Sequence, residues 1–84
     1  MKVYVYRETN DNETFNGEVV KIFADKGSAV ACLMGRVESF FHEPWERCVG
    51  IVEEADGAIW PTYVEYPDGN GYNFFAIDET EVIK

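Results

Sequence analysis

SAVACLMGRVESFF, Ser28–Phe41, is the stretch on which the fold turns. On a helical projection, Val30, Leu33, Met34, Val37, Phe40 and Phe41 crowd into about a third of the circumference. One apolar stripe of this width covers one face of a sheet and no more. The other side of the helix is bare: Ala31, Gly35 and Ser39 stand four residues apart, where a solvated helix back normally carries Lys and Glu. Gly35 costs the helix about 1 kcal/mol relative to alanine. A track of small side chains lets another backbone come close, as between membrane helices, so these three are candidate interface residues. Asp25 or Ser28 supplies the N-cap. Pro44 stops the helix, because it disfavours helical geometry at the residue before it.

Outward from the helix, the chain reads as strands. KVYVYR (Lys2–Arg7) alternates with period two, Val3 and Val5 on one side, Tyr4 and Tyr6 on the other. The polar ETNDNETFNGE after it, holding Asn16-Gly17, reads as a long hairpin loop or the tip of a long hairpin. EVVKIFA (Glu18–Ala24) is the second strand. After the helix come RCVGIVEE (Arg47–Glu54), a turn at Ala55–Gly57, AIWPTYVEY (Ala58–Tyr66), a turn at PDGNG, and a closing YNFFAIDETEVIK with a break expected near Asp78. Pro61 has no N–H for a ladder, so its strand is an edge or is bulged there. The expectation is one α+β domain over residues 1–84. A single helix packs on a mainly antiparallel sheet of about five strands, in the order β-β-α-β-β-β.

Counting faces then matters. Tyr4, Tyr6, Val19 and Phe23 alternate against Val3, Val5, Val20 and Ile22, and Trp60, Val64 and Tyr66 against Ile59 and Tyr63. The aromatic side is expected to be the one left uncovered. Tyr4, Tyr6, Phe23 and Trp60 are therefore interface candidates beside Ala31, Gly35 and Ser39. Such a surface takes a protein partner or a second copy of the chain.

Sixteen Asp and Glu against seven Lys and Arg give a net charge of −9 over 84 residues. Phosphate contacts need cations, so this balance argues against direct binding to nucleic acid or anionic lipid. Glu43, Glu46, Glu53, Glu54, Asp56, Asp78, Glu79 and Glu81 are candidates for an acidic surface. No apolar run approaches the roughly 18 residues of a membrane helix. The N-terminal MKVYVYRETN has no apolar secretory core, and a cytoplasmic location without membrane contact is expected.

Catalytic and metal patterns fail one by one. Cys32 and Cys48 make no disulfide framework, and the single histidine, His42, cannot reach Cys32 along the helix. Cys48 comes within range of His42 after Pro44, but no third residue orients such a pair. Zinc needs four ligands, usually in paired short spacings. DGNGYNFFAIDE carries Asp68 and Glu79 at the ends of a calcium-loop spacing, yet Asn73 stands where the sharp-turn glycine belongs. No phosphate-cradling or nucleophile-elbow motif is present. No cofactor and no enzymatic activity are expected.

VVKIFADKGSAVACL (Val19–Leu33) resembles a pattern recurrent in small β-β-α-β-β-type proteins of bacteria and their phages, and YNFFAIDETEVI resembles the terminal strand that accompanies it. The resemblance spans about a third of the chain and implies a fold and a bacterial or mobile-element origin, with no catalytic residue to carry over. The expected function is non-enzymatic protein binding. The alternative is an acidic inhibitor that blocks a nucleic-acid site on a host protein; in size and acidity the chain is similar to several anti-CRISPR and anti-restriction proteins.

Overall fold

The first hairpin is longer than its apolar alternation suggests. In the computed structural model, which describes residues 1–12, 16–41, 44–66 and 69–83, β1 spans Lys2–Asn12 and β2 spans Asn16–Phe23. The helix α1 runs Lys26–Phe40, a 3-10 turn covers Trp45–Arg47, and β3 (Val49–Ala55), β4 (Ala58–Glu65) and β5 (Gly71–Glu81) complete the chain. All pairings are antiparallel and the five strands lie in the order β2-β1-β5-β4-β3. The expected α+β architecture is present. β5 continues through Asp78 without the expected break, because every residue from Gly71 to Glu81 has a partner on β1.

Asp25 is the N-cap: its carboxylate accepts the Ser28 amide at 2.8 Å and the Ser28 hydroxyl at 2.9 Å. That is the arrangement a helix start needs for its free amides. The helix ends at Phe40, four residues before Pro44, where Phe41 turns extended. Ala29, Leu33 and Val37 form the fully buried stripe, with Phe41 just beyond. They close over Tyr6, Trp60, Val64 and Phe75, and Cys48 joins the same cluster.

Paired residues in an antiparallel sheet share a face, so the register sorts the side chains into rows. On the helix side lie Gly17–Asn10–Asn73–Val64–Gly50, Val19–Glu8–Phe75, Lys21–Tyr6–Ile77 and Phe23–Tyr4–Glu79. On the other side lie Asn16–Asp11–Tyr72–Glu65, Glu18–Thr9–Phe74–Tyr63–Ile51, Val20–Arg7–Ala76 and Ile22–Val5–Asp78. β4 joins β5 only through Tyr63–Glu65. Pro61 cannot donate to a neighbour. The register against β3 also slips between Ile51 and Val52, where the Thr62 hydroxyl donates to the Ile51 carbonyl at 3.0 Å. Together these turn the first half of β4 away from β5, which is the bulge that Pro61 calls for.

The face assignment is corrected by this arrangement. The aromatic side is the covered one. Tyr6 and Trp60 are fully buried under the helix, and Phe23 packs against the same core. Tyr4 is half-buried on that side, its hydroxyl donating to Glu79 at 3.3 Å. Rings bury more area than Val or Ile, so the face richer in them is the one the helix stabilises most by covering.

Candidate functional site

What remains uncovered is the face of Val5, Val20, Ile22, Ile51, Tyr63, Tyr72 and Phe74. Ile22 is 67% exposed, Ile51 63%, Val20 50% and Phe74 46%. No described helix or loop lies across them. Val52 and Ile59 extend the exposed apolar surface along the β3–β4 hairpin. The apolar line crosses the sheet diagonally, from Ile22 and Val5 through Ala76 to Phe74, Tyr63 and Ile51.

At one end of that line three rings cluster. Tyr63 and Phe74 have centroids 4.9 Å apart, Tyr72 and Phe74 5.2 Å, and Tyr63 and Tyr72 5.9 Å. These are tilted and edge-on contacts of the favourable kind. Carboxylates flank them. The Tyr63 hydroxyl donates to Glu65 at 3.2 Å, and Asp11 stands opposite Tyr72 on the neighbouring strand. Removal of solvent and the neighbouring Glu65 raise the Tyr63 pKa; Asp11 raises that of Tyr72. Beside this group, Asp11, Glu65, Tyr72 and the turn at 69–71 line an open hollow of about 500 Å³.

The helix back is as bare as its sequence implies. Ala31, Gly35 and Ser39 are exposed, and a methyl group built on Gly35 meets nothing within 4 Å. The Ser39 hydroxyl turns back to the Arg36 carbonyl at 2.9 Å.

The candidate acids do not gather in one row. Asp78, Glu79 and Glu81 lie at one end of the sheet, each beside a cation: Arg7 at 3.6 Å, Lys2 at 3.5 Å and the N-terminal amine at 3.2 Å. Glu53, Glu54 and Asp56 sit along β3 and its turn, and Glu46 in the 3-10 turn. Glu43 lies outside the described residues, as does His42, and with it the Cys48–His42 pairing. Among the described residues no three His, Cys, Asp or Glu side chains come close enough to hold a metal ion.

The polar group that sequence reading passes over lies on the other face, under the helix. Glu8 is fully buried. Arg36 reaches it with two bonds, Nε to Oε1 at 2.9 Å and Nη2 to Oε2 at 2.8 Å. The Tyr6 hydroxyl and the Asn10 amide, the latter at 2.6 Å, also donate to it. Beyond them the Asn12 amide donates to Asn73 at 2.8 Å. Burial acts to raise the Glu8 pKa, and the hydrogen bonds from Arg36, Tyr6 and Asn10 outweigh it, so the carboxyl stays below its ordinary range. Burial, and then Glu8, push the Tyr6 hydroxyl up. In sequence these residues, ETNDN, carry every mark of a loop. The one available signal is that Glu8, Asn10 and Asn12 continue the even-numbered side begun by Tyr4 and Tyr6. Glu8, Asn10, Asn12 and Asn73 are buried and Arg36 is one-third exposed at the rim, which makes the set a structural clasp.

Comparison with protein-family models, curated proteins and solved structures returns no match.

Proposed function

We propose that this chain is a non-catalytic protein-binding domain whose contact surface is the sheet face opposite the helix, and that its partner is a protein with a basic surface. The observation that carries this reading is the line of exposed Ile22, Val20, Phe74 and Ile51 on a face that no described element covers. Patches of this kind mark interfaces more often than scattered single exposures do.

Magnitudes point to the kind of partner. Covering a half-exposed aliphatic side chain regains on the order of 1 kcal/mol. A handful of them is comparable to the roughly 4–15 kcal/mol that association costs in lost freedom, so the apolar line alone supports only a weak contact. Charge supplies the rest. Among the described residues, Asp11, Glu18, Glu65 and Asp78 share this face with one cation, Arg7, which already faces Asp78. A second copy brings the same acids and a further −9, which disfavours self-association. The acid-mimic reading finds less support, because Asp78, Glu79 and Glu81 each stand beside a cation.

The test compares two surfaces. An Ile22→Asp/Phe74→Ser variant and a helix-back Gly35→Lys variant are prepared and used as bait beside the parent chain. A partner held by the parent chain and by Gly35→Lys, but lost by Ile22→Asp/Phe74→Ser, supports the sheet face. Loss with Gly35→Lys and retention with the sheet variant overturns it.

A further inference from the structure

The geometry points to a receptor for an arginine side chain in the row Asp11–Tyr72–Glu65, at the end of the open face. This rests on the protein-binding reading and names the chemistry the partner presents there. The three residues come from three neighbouring strands, β1, β5 and β4, and lie directly opposite one another. Strands are about 4.8 Å apart, so Asp11 and Glu65 stand one strand away from Tyr72 on either side. The next row adds Phe74 and Tyr63, which makes a cluster of three mutually tilted rings.

An exposed aromatic ring face with a carboxylate on either neighbouring strand suits a guanidinium. Its plane stacks on a ring face while its N–H groups reach sideways to carboxylate oxygens. The Glu65 carboxylate accepts the Tyr63 hydroxyl and keeps lone pairs to spare, since an ionised carboxylate has about four acceptor positions. That hydroxyl also holds Glu65 in place before a ligand arrives. Among the described residues no Lys or Arg pairs with Asp11 or Glu65; the four ion pairs lie elsewhere. The open hollow beside Tyr72 gives the side chain a way in. A lysine ammonium is a compact point charge without the stacking plane, and fits this row less well.

The experiment is an NMR titration of the full chain with N-acetyl-arginine amide, with the lysine and leucine analogues as comparisons. Shifts of the Tyr63, Tyr72 and Phe74 ring signals that saturate with the arginine probe, and that are at least about threefold weaker with lysine, bear the assignment out. The response should vanish in Asp11→Asn/Glu65→Gln and shrink in high salt on the parent chain, which needs no variant to fold. Equal shifts with the leucine probe, equal shifts with lysine, or no ring shifts at all overturn it. A chain that still holds its partner through Ile22 and Phe74 yet ignores arginine leaves the protein-binding reading standing and removes this one.

Discussion

Arg36 on α1 holds Glu8 on β1 by two parallel hydrogen bonds, of 2.8 and 2.9 Å, and Glu8 is out of reach of solvent. The pair ties the helix to β1, between β2 and β5. It is the point where removal of a single side chain leaves an uncompensated buried charge.

Arg36→Met is accordingly expected to destabilise the chain by about 3–5 kcal/mol, the usual range for breaking a buried pair by removing one partner, because Glu8 is left buried. Glu8→Ala should cost less, because the Arg36 side chain it leaves behind is one-third exposed. Urea denaturation followed by tryptophan fluorescence measures both. A loss under about 1 kcal/mol in Arg36→Met would mean that Glu8 is solvated in solution.

The same carboxyl sets an acid limit. Its folded pKa lies below the ordinary 4.5, so its contribution is present above that value and fades as pH falls through the lower, folded one. Stability should drop below about pH 4.5 in the parent chain, and Glu8→Gln should show a shallower fall. Thermal unfolding across pH 2–7, about half a unit per step, compares the two slopes; identical slopes refute the assignment.

Gly71 is fixed by its neighbours. Its φ is +135°, and an added methyl would sit 2.2 Å from the Asp11 carbonyl and 2.6 Å from the Asn12 Cα. Gly71→Ala should cost more than about 1 kcal/mol and raise amide exchange where β5 begins against the end of β1. Gly57, with open space around it, tolerates added bulk better despite its positive φ.

Gly35 is the opposite case. A methyl there meets nothing, so Gly35→Ala should stabilise the helix by about 0.5–1 kcal/mol. Denaturation midpoints decide it. A destabilising result would show that the helix back packs against something in solution.

Much of the architecture is legible in local chemistry. Period-two alternation in KVYVYR, the Asp25 cap and the Leu33–Val37 stripe each correspond to an observed element. Pro61 marks the place where β4 leaves β5. The loop reading of ETNDN fails for one reason. Glu8, Asn10 and Asn12 are polar, and polarity in a single sequence signals a loop; only partners distant in the chain, Arg36 and Asn73, make their burial tolerable.

The candidate site was harder to read for a related reason. Tyr63, Tyr72 and Phe74 lie on two strands, and Asp11 on a third, so nothing local announces their meeting.

By itself the sequence determined that one helix and five strands form, and that a lone apolar stripe leaves a sheet face open, since both follow from periodicity along the chain. Which face is open was decided by tertiary structure alone. Alternation says that two sides differ, but which side the helix seals depends on long-range packing: Tyr6, Trp60 and Phe75 bury more area together than Val20, Ile22 and Ile51, and Arg36 must reach Glu8.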